Sequence, residues 1–312
     1  MRALAIPPAW EDVWICSDPL GHLQATGIDG AGRKQYLYHG QWRERRDRQK
    51  FEKMVRFGAG LARLRRRVAR DLEGEEPGRE RVLACAVRLL DVGLFRIGRE
   101  QYAEEDGGIG LATIAKQHVS VQAGSIAFDY PAKGGTRRVQ TIADPRSLKL
   151  ILELKRRRGG GQELLAYREG RRWHKVRSDE INEYLKHQLG EDFSAKDFRT
   201  GNATVLAAVS LATQGRDAAT KTARKKAVDT AVRDVSTLLG NTPAVARRAY
   251  IDPRVVDRYL SGWTIAPALE RLPDLDPTDD RVRRRIDVAV LDLLTDKRDS
   301  DALEHLSESA SG

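Results

Sequence analysis

Six residues, Glu73-Gly74-Glu75-Glu76-Pro77-Gly78, interrupt the patterning of this chain more sharply than any other stretch. Proline lacks the amide a helix needs, glycine pays most backbone entropy in one, and three carboxylates keep the stretch in water. Before it lie short strands and one long basic helix; beyond it the pattern is mostly helical. The expected fold class is α+β. A small N-terminal β-sheet plus helix domain covers residues 1–76. A larger, mainly α-helical domain with a small β-hairpin covers 77–312.

The first part reads as strands and turns. Trp10, Val13, Trp14 and Ile15 are strand-like, Asp18-Pro19-Leu20-Gly21 is a turn, and His22–Gly27 is a second strand. Asp29-Gly30-Ala31-Gly32 is a strong turn signal, and Arg33-Lys34-Gln35-Tyr36-Leu37-Tyr38 follows as a basic, polar and aromatic strand. Helical pattern runs from about Glu44 to Leu72. The charge of the whole chain is +10, and it is concentrated here. From Arg33 to Arg70 stand 14 Lys/Arg against three acids, a net of +11. Such an excess implies a polyanionic partner, with duplex DNA or RNA ahead of an acidic membrane surface. Apolar residues at helical spacing (Phe51, Val55, Leu61, Leu64, Val68) also fit an amphipathic helix with a solvated arginine face.

Past the break, Arg81–Val92 is an apolar-periodic helix. Ser125–Tyr130 and Thr136–Ile142 alternate, joined by Pro131-Ala132-Lys133-Gly134-Gly135, which predicts a hairpin with a lysine in its loop. Helices are expected over Ser147–Lys155, Ser178–Leu189, Ala195–Thr213, Asp217–Leu239 and Arg281–Leu294, with a disordered tail after about residue 300. Several chemistries find no support. No Gly-Lys dipeptide offers a nucleotide-binding loop, and neither HExxH nor CxxC occurs. Cys16 and Cys85 have no metal-ligand spacing and read as thiols of a reducing cytoplasm. Asp274, Asp276, Asp279 and Asp280 read as a solvated loop, and His118, His174 and His187 as isolated structural or surface residues. No metal and no cofactor are expected. The start, MRALAIPPAW, lacks the apolar stretch of a signal peptide, and no apolar run approaches a membrane span.

One stretch carries chemistry. In Leu239–Tyr250, LGNTPAVARRAY, Thr242-Pro243 is a helix start, with a hydroxyl cap followed by proline at the first helical position. The short helix brings Arg247 and Arg248 just ahead of Tyr250. Alone, this is a surface helix with a tyrosine. Four other items occur in order: Arg96 in FRIGREQY, Lys133 in PAKGG, Arg199 in AKDFRTGN, and Asn241 at the start of the stretch itself. In isolation each has an ordinary reading as a cap, a solvated turn residue or an ion-pair partner. As an ordered set with Tyr250 they resemble the active site of the type IB DNA topoisomerases, the small bacterial and poxvirus-like branch. The resemblance runs from IPPAW to about Tyr259, and GRKQYLY is similar to that family's DNA-reading strand.

The resemblance implies a DNA topoisomerase that nicks one strand through a 3′-phosphotyrosine and relaxes supercoils without ATP or metal. It assigns Tyr250 as nucleophile, Arg96 and Arg199 as clamps on the scissile phosphate, and Lys133 as general acid for the 5′-hydroxyl. Asn241 donates to a non-bridging oxygen and Lys196 assists proton transfer. Asn241 stands where relatives more often have histidine; it can donate but cannot titrate. Gln35, Tyr36 and Tyr38, with Arg33, match positions that touch DNA, and Tyr102 matches a backbone contact. The partner implied is double-stranded DNA, held by a monomeric clamp whose two domains cover opposite faces of the duplex, in a cytoplasmic, nucleoid-associated setting. Relatives carry a further N-terminal segment completing the small sheet, so the sheet here is expected to lack that edge strand.

The chemistry is coherent with the residue types. Transesterification trades one phosphodiester for another and keeps its energy, so no ATP is needed. A phenol is a weak nucleophile at its ordinary pKa of about 10, so it needs positive neighbours. Two arginines present fixed donors to the oxygens of a pentacoordinate phosphorus. A tyrosine recombinase shares this set, and a catalytically silent DNA-binding protein is the competitor from another class. Plasmid relaxation by protein alone, without a recombination site, separates the first; a covalent adduct trapped by denaturant separates the second. Because the basic run neutralises phosphates, affinity for duplex DNA should fall linearly on a log–log plot against salt. Filter binding across a salt series checks this, and a flat response would remove the polyanion reading.

Overall fold

The computed structural model describes residues 4–98, 108–218 and 220–306. The chain divides into two compact units, Met1–Lys53 and Met54–Gly312.

The first unit holds an antiparallel sheet in the order β1 (Glu11–Ile15), β2 (Leu23–Ile28), β3 (Lys34–Tyr38). Its turns are closed by short acidic side chains, as the sequence predicts. Asp18 accepts from the Leu20 amide at 2.9 Å, and Asp29 accepts from the amides of Ala31 and Arg33, both at 3.0 Å. Trp10 lies so close over Gly27 in β2 that a Cβ there would meet its ring at 2.7 Å. Helix α1 (Gly40–Leu72) starts four residues before the Glu44 expected from the sequence. His39 makes that possible: its ring nitrogen accepts from Gln41 N at 3.2 Å and its carbonyl from Arg43 N at 3.0 Å.

In the second unit the later part of α1 buries Phe57, Leu61, Leu64, Val68 and Leu72 at three- and four-residue spacing. They share one core with α2 (Arg79–Gly93). The Glu73–Gly78 break is therefore a joint between two helices of one core, and the division between units falls earlier, inside α1. The same core takes in the sheet β4 (Val119–Gln122), β5 (Ser125–Pro131), β6 (Arg137–Ile142), then α3 (Pro145–Arg156) and α4 (Ser178–Leu189). It ends at Phe198, near the start of α5 (Ala195–Gln214). A second core forms on the remainder of α5, where Ala203, Ala207, Ala208 and Ala212 allow close approach. Around it stand α6 (Lys221–Leu239), α7 (Pro243–Ala249), α8 (Pro253–Leu260), α9 (Ala266–Glu270) and α10 (Asp280–Leu294).

Three features depart from the sequence reading. The expected hairpin is a three-stranded sheet, with β4 paired to β5. A second hairpin, β7 (Ala166–Glu169) with β8 (Arg172–Lys175), is too short and too polar to show alternation. Residues 301–306 of the tail are ordered: β10 (Glu304–His305) pairs with β9 (Trp263–Thr264), and Leu306 N donates to Gly262 O at 2.7 Å. That pairing spans some forty residues and leaves no local signature. No helix among the described residues is long and apolar enough to cross a membrane.

Buried charges tie these helices together. Arg65 of α1 donates to Asp91 of α2 at 2.8 Å and to Asp287 of α10 at 2.5 Å, and Arg283 donates to Asp91 as well. Burial pushes the Asp91 carboxyl up, but Arg283 and Arg65 outweigh it and hold the group well below the usual carboxylate range. Asp91→Ala removes the carboxylate that two buried guanidiniums share and should cost about 3–5 kcal/mol of unfolding free energy in urea titration. A depressed folded pKa means the Asp91 contribution is present above the ordinary value of about 4 and lost as pH falls through the folded one. The fall in stability below that pH should be shallower in Asp91→Asn.

Candidate active site

Each chemistry-bearing residue predicted in the second unit, Tyr102 excepted, reaches one place by its own local route. Tyr102 lies outside the described residues. Helix α2 ends at Gly93, and Leu94 turns the chain in the left-handed region at φ 54°. Arg96 follows outside any helix or strand and donates through Nη2 to Asn241 Oδ1 at 2.6 Å. Arg199 projects from the first turns of α5 and is 3% exposed. Its Nη1 donates to Leu94 O at 2.6 Å and its Nη2 to Leu239 O at 2.9 Å. Lys133 stands exposed in the turn between β5 and β6, where Gly134 and Gly135 take φ of 77° and 72°, a conformation that glycine adopts without penalty. Lys196, on the exposed side of the first turn of α5, faces the same space.

Tyr250 closes α7. Thr242 caps that helix by accepting from Val245 N at 3.3 Å, Pro243 fills its first position, and Tyr250 N donates to Ala246 O at 3.1 Å. The ring packs on the Arg199 guanidinium, 5.2 Å from centroid to carbon. The tyrosine helix is thus docked against the arginines. A cavity of 290 Å³ is lined by Arg96, Lys133, Lys196, Arg199 and Tyr250, with backbone from Gly98 and Gly108.

Electrostatics follow from that crowding. Burial pushes the Tyr250 phenol up, but the charges of Arg199 and Arg96 outweigh it and hold the phenol below its ordinary value. Burial and the like charge of Arg96 lower Arg199 to about 10. Arg199 Nε and Asn241 Nδ2 are buried donors with no hydrogen-bond partner among the described residues. One donor of the Arg199 guanidinium and one amide donor, left without partners beside the Arg96 guanidinium, make a site for the acceptor oxygens of an anion. Among the described residues no cluster of three metal-ligating side chains occurs.

The strand residues of the first unit divide. Tyr36 is half exposed and stacks with Tyr38, and Tyr38 stacks with Trp42 at 4.5 Å. Gln35 alternates to the opposite face of β3 and donates to Asp29 Oδ2 at 2.8 Å. Arg33 pairs with the same carboxylate at 2.9 Å, and these contacts hold Asp29 at about 2. One residue escaped the sequence reading. Arg138 of β6 faces the site's second, adjoining cavity with Arg96 and Lys133. Alternation in RRVQTI puts Arg138 on the face of buried Ile142, which is the signal that could have found it.

The phenol offers a direct check. Ultraviolet titration of the protein against Tyr250→Phe isolates one tyrosinate. It should ionise below about 10, the ordinary phenol value, and move upward in Arg96→Ala, because removing a cation disfavours the anion.

Comparison with known proteins places the chain in a family. The sequence model of the family described as "Eukaryotic DNA topoisomerase I, catalytic core" matches residues 39–261. That of "Bacterial DNA topoisomerase IB, N-terminal domain" matches residues 1–29. The DNA topoisomerase 1B of Acanthamoeba polyphaga mimivirus is 27% identical over 269 residues, covering 83% of this chain and 79% of that protein. The DNA topoisomerase 1B of Vaccinia virus (strain Copenhagen) is 20% identical over 249 residues, covering 80% and 75%. The DNA topoisomerase 1 of Rabbit fibroma virus is 21% identical over 268 residues, covering 84% and 81%. With a family match running from the start of α1 to just past α8, over most of its length, this chain belongs to the type IB DNA topoisomerases.

Proposed function

We propose that this protein relaxes supercoiled double-stranded DNA by transient nicking at Tyr250, acting as a monomer. The observation that carries this reading is the docking of the Tyr250 ring on Arg199, in a cavity that also holds Arg96, Lys133 and Lys196. The scissile phosphate sits against Arg96, Arg199 and Asn241. The phenol loses its proton to water, favoured by the two guanidinium charges, and its oxygen attacks phosphorus. The bond from phosphorus to the 5′-oxygen breaks, and Lys133 protonates that oxygen, with Lys196 passing protons between solvent and the lysine. The 3′-phosphate stays on Tyr250 while the free 5′-end swivels. The 5′-hydroxyl then returns its proton to Lys133, attacks, and releases the tyrosine.

Arg199 and Arg96 are suited to the transition state because its charge spreads over non-bridging oxygens, which fixed planar donors meet best. Since the phosphodiester energy is kept in the phosphotyrosine, the reaction needs no ATP. In this reading residues 77–312 carry the chemistry and residues 1–76 contribute DNA contacts through Tyr36 and Tyr38. Gln35 and Arg33 join them only on leaving Asp29, and Tyr102 adds a backbone contact. A cytoplasmic, nucleoid-associated location goes with this activity.

The test is relaxation of a supercoiled plasmid lacking any recombination site, by purified protein with EDTA and without ATP. Relaxation with an adduct trapped by detergent is the expected result. Tyr250→Phe should bind DNA yet neither relax it nor form an adduct; residual adduct would move the nucleophile elsewhere. Arg199→Ala should slow cleavage by at least about 10²-fold, the loss expected for one oxyanion donor, and near-normal cleavage would take it out of the site.

A further inference from the structure

We infer that Arg138 is a positioning residue for Tyr250 and Asn241, acting through the end of α6 rather than on the substrate. The inference rests on the reading of Tyr250 as nucleophile. A helix leaves its last four carbonyls without partners in the helix itself. At the end of α6 all four are satisfied, and by two different means. Asn241 N donates to Ser236 O at 3.0 Å and Gly240 N to Thr237 O at 3.1 Å, with Gly240 in the left-handed region at φ 61°. Arg138 Nη2 donates to Leu238 O at 2.9 Å and Arg199 Nη2 to Leu239 O at 2.9 Å.

The same two guanidiniums take consecutive carbonyls at the end of α2. Arg199 Nη1 reaches Leu94 O at 2.6 Å, and Arg138 Nη2 reaches Gly93 O at 3.4 Å. Two helix C-termini, each carrying partial negative charge, are thus fastened to each other by a pair of cations. Arg138 is itself aimed by Gln140, two residues along the same face of β6, whose Oε1 accepts from Nε at 3.0 Å and from Nη2 at 2.7 Å. The α6–α7 turn lies against it: a Cβ on Gly240 would stand 3.3 Å from Arg138 Nη1.

What hangs from this fastening is the reactive segment. Helix α7 buries one residue only, Ala246, so its own packing holds it weakly. Its far end is tied at Thr204 Oγ1, which accepts from Asp252 N at 3.1 Å and shares its one proton between Thr200 O at 2.9 Å and Tyr250 O at 3.3 Å. Its near end is tied by the four-carbonyl cap of α6. Freeing Leu238 O loosens that end, and Asn241 and Tyr250 shift relative to Arg96 and Arg199. A misplacement on the order of 1 Å away from the reacting atoms costs about 10²-fold in rate. Lysine cannot replace the arginine here, because a single ammonium on a flexible stem does not hold planar contacts to a carbonyl and a glutamine at once.

The experiment measures covalent adduct formation on a duplex whose cleaved fragment dissociates, at saturating DNA and across pH, for Arg138→Ala and Arg138→Lys. Binding is measured in the Tyr250→Phe background. Both variants should form adduct about 10²-fold more slowly, bind DNA as the parent does, and shift the ascending limb of the rate profile to higher pH as the phenol leaves Arg199. Wild-type adduct rate and pH limb in Arg138→Ala overturn the inference, as does full rescue by lysine, which would leave charge alone. If Arg138→Ala loses cooperative unfolding, Gln140→Ala takes its place. It should slow adduct formation with the same shift in pH limb, and a wild-type profile there overturns the inference equally. Adduct formed by Tyr250→Phe would instead sink the nucleophile assignment. An inert Tyr250→Phe beside a normal Arg138→Ala would sink this inference alone.

Discussion

Arg199 joins the end of α2 to the end of α6 through the carbonyls of Leu94 and Leu239, and it does so while almost fully buried. A buried cation is costly unless its donors are met. Here two helix ends meet them with carbonyls that would otherwise be stranded. The geometry leaves the guanidinium face to the Tyr250 ring and leaves Nε without a partner among the described residues. One side chain therefore fastens the scaffold and lowers the proton affinity of the phenol beside it. Removing it disturbs both, so structure and chemistry at this position cannot be separated by truncation alone.

The site lies where two hydrophobic cores adjoin. Phe198 belongs to the core built on α2 and the β4–β6 sheet, while Ala203 and the residues after it belong to the core built on α6 to α10. Arg199 sits between them on α5. Asp91 marks the same seam: it pairs with Arg65 and Arg283, and its carbonyl accepts from Asn202 of α5 at 2.8 Å. Ionic contacts across this seam hold the relative placement of elements that supply Arg96, Arg199 and Tyr250. Polar networks of this kind demand one arrangement, since any slip leaves a buried charge unpaired.

The two kinds of cation differ in burial as well as chemistry. Arg199 is enclosed and pre-aimed, which suits a donor that must be in place before charge develops. Lys133 and Lys196 are exposed, and an ammonium on a long stem in water keeps the freedom to pass protons. Asn241 fits the enclosed group. Its carbonyl oxygen is held by Arg96, which leaves the amide Nδ2 as a donor without a partner among the described residues. A residue that cannot titrate keeps that role at every pH.

Much of this could be read from the chain before folding. The Asp29 turn and the Thr242-Pro243 helix start are determined by residues within a few positions of one another, because caps and turns are local hydrogen-bond problems. The ordered set Arg96, Lys133, Arg199, Asn241, Tyr250 was legible through its family resemblance. The β7–β8 hairpin and the β9–β10 pairing were not, since short polar strands acquire their meaning only from the partner they meet. Arg138 looked like any strand arginine, and Gln35 like a free reader of DNA until Asp29 was seen to hold it. The sequence by itself thus determined which residues cap, turn and could react. Only the tertiary structure decided that Arg199 would span carbonyls 105 and 40 residues away and turn its face to Tyr250, because such a bridge depends on how the ends of α2 and α6 pack, which no local pattern encodes.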